Sequence, residues 1–146
     1  MKNSKGFTLI ELVVTIVLVG ILLGTAIPTY NKTVIQSQIQ INKSNMTVIK
    51  KVFIQYFQDN HMTGNPHFPK QPDNNLMDST YRELVLSDGR TPDMLFSGQL
   101  PYNTNHNPYR YDLLIDTTNG LITNTIIISD TDPDSPSYQV EVIGEM

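Results

Sequence analysis

Two sets of acidic residues in this sequence have a spacing that could do chemistry. Glu11 lies inside an apolar run, and Asp130, Asp132 and Asp134 alternate along Asp130-Thr131-Asp132-Pro133-Asp134, with Glu141 further on. Alternate carboxylates followed by a later acid are the ligand pattern of a calcium loop, because calcium takes several oxygens and a closing bidentate carboxylate. Ser135 stands where such a loop turns on glycine, Pro136 disturbs the backbone after it, and Glu141 falls in a strand-like run. A solvated acidic turn accounts for the same residues. Calcium on Asp130, Asp132, Asp134 and Glu141 is the one cofactor the sequence suggests. His61, His67 and His106 sit in polar loops without metal-ligand or triad spacing, and neither a nucleophile elbow nor a phosphate-cradling glycine loop is present. The expectation is a protein that is not an enzyme.

The 146 residues include no cysteine, which excludes disulfides, thiolate catalysis and Cys-ligated metals. The formal charge of −4 is unevenly spread. Residues 30–58 carry Lys32, Lys43, Lys50 and Lys51 with no acid, whereas residues 59–146 carry four bases against thirteen acids. An acidic carboxy-terminal part repels phosphate backbones, so no nucleic-acid binding is expected from it.

Apolar residues crowd the amino end. Phe7 to Ile27 is a run of 21 residues whose only charge is Glu11. As a helix it spans about 31 Å, enough to cross a bilayer. Lys2 and Lys5 precede it and favour a cytoplasmic amino end, leaving the rest on the far side. A secretory signal peptide fits poorly, because its apolar core should lack a carboxylate and Gly24-Thr25-Ala26 is a poor cleavage site. A plain single-pass anchor leaves Glu11 as an unexplained cost.

Read whole, Lys5-Gly6-Phe7-Thr8-Leu9-Ile10-Glu11-Leu12-Val13-Val14 resembles the class III signal of type IV pilins and type II secretion pseudopilins. In that signal a short basic leader ends in Gly, Phe follows, and Glu stands four residues beyond the Phe. The resemblance implies that a prepilin peptidase cuts between Gly6 and Phe7 and that Phe7 becomes N-methylphenylalanine. It also implies that Glu11 acts in assembly, where a neighbouring subunit's new amino group meets the carboxylate.

The chemistry is compatible with this. Phe7 and Glu11 are spaced i to i+4 on one helix face, and a carboxylate in low dielectric needs a partner. A pair within one subunit, or a protonated Glu11, are the plainer alternatives. Gly20 and Gly24 form a small-xxx-small pattern that allows close helix approach, and Pro28 follows on the same face. The proline removes the N–H that would bond Gly24, so Gly20, Gly24 and Pro28 mark the expected weak point of the helix. Pilin-like filaments resemble this in having a locally melted core helix; a simple kink, or two helices divided at Pro28, are the alternatives.

Beyond Pro28 no Gly or Pro occurs before Gly64, and Ile35, Ile39, Met46, Ile49, Phe53 and Tyr56 form an apolar stripe interrupted at Asn42. The periodicity predicts an amphipathic continuation of the helix to about Gln58. The loop Asp59–Asn75 holds Gly64, Pro66, Pro69 and Pro72. Leu76–Ser87 is expected to open with a helical turn and enter a strand. Ser87–Arg90 reads as a turn, Arg110–Asp116 and Leu121–Ser129 as a hairpin around Thr117–Gly120, and Tyr138–Ile143 as a further strand. Leu100 to Tyr111 resembles the loop before the sheet in many pseudopilins and pilin-like heads.

The predicted fold is therefore α+β. It has a leader (1–6), a membrane-spanning helix (7–28), its amphipathic continuation (29–58) and a head (59–146) with a small antiparallel sheet, pilin-like. The resemblance implies a structural subunit polymerised with copies of itself or with other pilin-like subunits, served by prepilin peptidase and an inner-membrane assembly platform. Its place would be the bacterial inner membrane, head in the periplasm or outside, then a periplasmic pseudopilus or a cell-surface pilus. The short cysteine-free head leans toward a type II secretion pseudopilin active in protein secretion. A pilus subunit serving adhesion, motility or DNA uptake stays open. So does a membrane-anchored periplasmic binding domain that never polymerises.

Overall fold

The computed structural model describes residues 6–117 and 122–146. Its longest element is α1, Leu9–Met62, one helix that runs unbroken through Pro28. The predicted weak point therefore does not divide it into two helices. The chain forms two compact units, residues 1–37 and residues 38–146.

In the first unit the helix is exposed on every side. Its threonines bond the helix itself: Thr15 Oγ1 donates to Leu12 O (2.8 Å), Thr29 Oγ1 to Thr25 O (3.0 Å), Thr33 Oγ1 to Thr29 O (2.9 Å) and Thr25 Oγ1 to Leu22 O (3.1 Å). Such back-bonding is how hydroxyls are satisfied where no water is available. Nothing lies within 4 Å of a Cβ built on Gly20 or Gly24.

In the second unit Met46, Ile49, Phe53 and Tyr56 of α1 are buried, as their 3.6-residue spacing predicts. The helix outlasts the expected end at Gln58 because Gly64, not Asp59, stops it. Gly64 takes φ +84°, its N–H bonds His61 O (3.1 Å), and the Asn65 N–H reaches back to Asn60 O (3.0 Å). This pair of reversed bonds around a left-handed glycine satisfies the last carbonyls of a helix.

Two short helices follow, α2 (Ser79–Arg82) and α3 (Pro92–Leu95). Asp78 caps α2 by accepting from the N–H groups of Thr80 and Tyr81. The expected helical turn is thus present but the strand after it is not. Leu86 N–H closes onto Arg90 O (2.8 Å) around Gly89, which leaves Leu84–Leu86 no ladder to join.

The sheet has three antiparallel strands in the order β1 (Arg110–Asp116), β2 (Thr123–Ser129) and β3 (Glu141–Glu145). Tyr111, Ile128 and Val142 stand in register across it and face the core. Part of the expected hairpin turn, residues 118–120, and Leu121 lie outside the described residues. The third strand starts three residues later than the sequence suggests. Tyr138 N–H bonds Ser135 O, Gln139 N–H bonds Asp130 O, and Val140 N–H bonds Ser137 O, so the first half of Tyr138–Ile143 is held in turns. Gln139 sits at φ 63°.

The core joins α1 to the sheet and loops. Phe53 meets Tyr111 with ring centroids 4.7 Å apart, and Phe57 meets Phe68 at 4.7 Å. Met77, Tyr81, Leu100 and Tyr109 fill the remainder. Both sheet edges carry bonds from other parts of the chain. Asn75 and Met77 bond the outer edge of β1 through Tyr111 N–H and Tyr109 O. Lys50 Nζ reaches Ile143 O on β3 (3.4 Å). Edges blocked this way resist uncontrolled pairing.

Candidate functional site

The amino-terminal site begins at the helix cap. Thr8 precedes α1, and Glu11 is the third residue of the helix. The Thr8 N–H donates to Glu11 Oε2 (2.8 Å), Thr8 Oγ1 donates to the same oxygen (2.7 Å), and the Glu11 N–H donates to Thr8 Oγ1 (3.4 Å). This reciprocal arrangement is a capping box, encoded by Thr-x-x-Glu, and it fixes where the helix starts. The signal is plain in Thr8-Leu9-Ile10-Glu11, yet reading the segment as a membrane span hid it. Both side-chain bonds fall on Oε2; among the described residues Oε1 has no partner in the chain.

Around Glu11 the apolar residues from Phe7 to Ile27 have no cover. They are between 49% (Val13) and 81% (Phe7, Leu9) exposed. Among the described residues α1 is the one helix long and apolar enough to cross a membrane. Gly6 and Phe7 precede the helix and are exposed; Lys2 and Lys5 lie outside the described residues.

The carboxy-terminal acids are arranged differently from a calcium loop. Asp130 is fully buried, Asp132 nearly so, and Asp134 and Glu141 are exposed, the last on β3. Asp130 Oδ2 accepts from Ser135 Oγ and Ser137 Oγ, both at 2.6 Å. Its Oδ1 accepts from Asn103 Nδ2 and the Asp132 N–H, both at 3.2 Å. The lone pairs a cation would use already carry donors. Among the described residues no three carboxylates or histidines gather in a group that could hold a metal ion.

What the loop acids do instead is tie the head to the helix. Asn42, the residue that interrupts the apolar stripe, is fully buried. Its Nδ2 points at Ser137 Oγ (2.7 Å) and Ser135 Oγ (3.2 Å), the two hydroxyls that donate to Asp130. Its Oδ1 accepts from the Thr104 N–H (2.9 Å). A polar residue in a core stripe is tolerated when every bond it can make is made. Asp132 has its own ring of amides. The side chains of Asn107, Asn105 and Asn103 and the Asp134 N–H hold its carboxyl down at about 2, against the opposing effect of burial.

Of the three histidines expected in polar loops, His61 lies in the last turn of α1 and His106 is an exposed loop residue, while His67 is bonded at both ring nitrogens. His67 Nδ1 lies 2.6 Å from Asn65 O, and its Nε2 meets the hydroxyls of Ser87 and Tyr56. His106 sits at φ 63° in a loop closed by Asn103, whose Oδ1 accepts from the N–H groups of Asn105 and Asn107.

Comparison with known proteins bears on the amino-terminal site. Residues 1–27 match the family model described as the prokaryotic N-terminal methylation motif. Two curated relatives, the "Type IV major fimbrial protein FimA" of Dichelobacter nodosus (strain VCS1703A) and that of Dichelobacter nodosus, are each 32% identical over 102 residues. The match covers 70% of this chain, and the chain spans 62% of the length of these curated relatives. No solved structure matches the chain at a significant level. With Gly6, Phe7 and Glu11 at the head of an exposed apolar helix and a small antiparallel sheet beyond it, the chain carries the amino-terminal signal of the type IV pilin family on a pilin-like fold.

Proposed function

We propose that this chain is a structural subunit of a type IV pilus-like filament. In this reading a prepilin peptidase cuts between Gly6 and Phe7, Phe7 is N-methylated, and the subunit polymerises through residues 7–28. One observation carries it: a helix with an uncovered apolar surface whose single charge, Glu11, has no partner for Oε1 among the described residues. Such a surface is stable only under lipid or against other apolar helices. Lipid covers it before assembly, with Lys2 and Lys5 keeping the amino end cytoplasmic and the head in the periplasm. Neighbouring helices cover it afterwards, when the ammonium of one subunit's Phe7 reaches Glu11 Oε1 of the next. The inner-membrane assembly platform is where that exchange happens.

Of the two branches, the relatives' printed name, major fimbrial protein, favours a pilus subunit on the cell surface. A type II secretion pseudopilin is the second reading, favoured by the short head without cysteine. The decisive experiment is mass spectrometry of the native chain together with electron microscopy of material sheared from cells. A chain beginning at methylated Phe7 and present in long surface filaments is expected. The processed chain without surface filaments moves the reading to the pseudopilin. A chain still beginning at Met1 overturns both and leaves a membrane-anchored binding domain.

A further inference from the structure

We propose that the head carries two faces of opposite charge through which one copy docks on the next: a basic ridge on α1, Lys43-Thr47-Lys51, and an acidic row on β3, Glu141-Ile143-Glu145. This rests on the filament reading and adds to it a contact that the amino-terminal helix does not make.

Lys43, Thr47 and Lys51 are spaced by four residues and so form one ridge of the helix, turned away from the buried Met46, Ile49 and Phe53. Lys43 and Lys51 are exposed, and Val48 beside Lys51 is 44% exposed. On β3 the residues alternate: Val142 and Gly144 face inward, while Glu141, Ile143 and Glu145 are exposed. The head's ion pairs join Lys70 to Asp73, Arg82 to Asp93, Arg90 to Asp88 and Arg110 to Asp112. Among the described residues, Lys43, Lys51, Glu141 and Glu145 make no ion pair. Lys50 is not part of the ridge, since it turns to the Ile143 carbonyl of its own chain.

The two rows also match in length. Lys43 and Lys51 are about 12 Å apart along the helix axis, and Glu141 and Glu145 about 13 Å apart along the strand. Laid together they form two ion pairs flanking apolar contact between Val48 and Ile143. Charged pairs at a rim set register and suppress wrong partners more than they add affinity. The basic row lies on α1 and the acidic row on β3, and a contact that sets the basic row of one copy against the acidic row of the next is head-to-tail. Contacts of that kind, when they do not close a ring, propagate into an open helical polymer. A second copy of this chain is therefore the occupant that fits both faces at once.

The test is a charge swap in the full chain, expressed in cells that make the filament. K43E/K51E and E141K/E145K should each lower the yield of sheared filament at least about tenfold, with the amount of processed chain in the membrane unchanged. The fourfold swap K43E/K51E/E141K/E145K should restore it. Undiminished filaments from either double variant, or no rescue by the fourfold swap, would overturn the contact. Because the chain has no cysteine, chains carrying K51C alone and chains carrying E145C alone can be co-expressed and joined by a short bismaleimide only between copies. Mixed dimers are expected from assembled filaments, and their absence counts against the docking. So does a K43E/K51E variant that assembles normally and loses only its binding to anionic lipid vesicles. Wild-type chain that is processed yet never polymerises removes the filament reading itself, a separate failure.

Discussion

Two stretches of the same helix handle apolar surface in opposite ways. From residue 38 to Met62, α1 turns Met46, Ile49, Phe53 and Tyr56 into a core and leaves polar residues outward. In residues 9–37 the apolar residues encircle the helix, and none is buried. The first pattern is completed within the chain, whereas the second requires partners that the chain does not contain. On the reading proposed above, stability resides in the head and function in the uncovered stretch, and substitutions in the two should fail differently.

The largest expected effect separates them outright. Glu11→Ala should abolish filaments while the chain is still processed at Phe7 and inserted, read from sheared filament yield against membrane abundance. Only the capping box is lost from the fold, at about 1 kcal/mol. Filaments at normal yield would show that Glu11 serves its own subunit alone.

Next in size is a change on the head side. Asn42→Leu leaves Ser135, Ser137 and the Thr104 N–H short of a partner in a buried place. A cost of about 3 kcal/mol is expected, from unmet hydrogen bonds. Thermal unfolding of the detergent-solubilised chain, followed through its tyrosines, would register it as a lower Tm, and an unchanged Tm would contradict the hub.

Acid should act on the same region. Asp132 titrates at about 2 in the folded head, below an unfolded carboxylate near 3.9. Its contribution is present above about pH 4 and is lost as the pH falls toward 2, since only the unfolded chain takes up a proton in that window. Asp132→Asn should have a lower Tm at neutral pH and a flatter decline between pH 4 and 2. An equal decline in both chains would mean other acids govern it.

The smallest effect concerns calcium. With Asp130 already bonded through both oxygens, added calcium is expected to move the Tm by less than about 1 °C. A shift of several degrees, with heat in calorimetry that disappears in Asp134→Ala, would show that the loop reorganises around the ion.

Where the sequence could be read and where it could not follows from the range of the interactions. β1 coincides with Arg110–Asp116 because its limits are local, a polar loop on one side and the turn-forming composition of Thr117-Thr118-Asn119-Gly120 in the sequence on the other. The start of β3 was misplaced because Asp130 claims the Gln139 N–H, a bond no local pattern announces. The end of α1 depended on weighing Gly64 above Asp59 as the stop. Asn42 was visible as a break in a stripe, but its partners lie 62 to 95 positions away. At the amino-terminal site the residues and their order were legible, since cleavage and capping signals are contiguous. The pairing of one subunit with the next is written in no single stretch.

The threonines of the first stretch have a consequence for how such a subunit travels. Thr15, Thr25, Thr29 and Thr33 give their hydroxyl protons to carbonyls of their own helix, so moving from fluid acyl chains to a crowd of sister rods requires no hydroxyl to change hands. In the filament proposed above, Glu11 is the charge that must trade one environment for another, and among the described residues its Oε1 is the atom left to take a neighbour's donor.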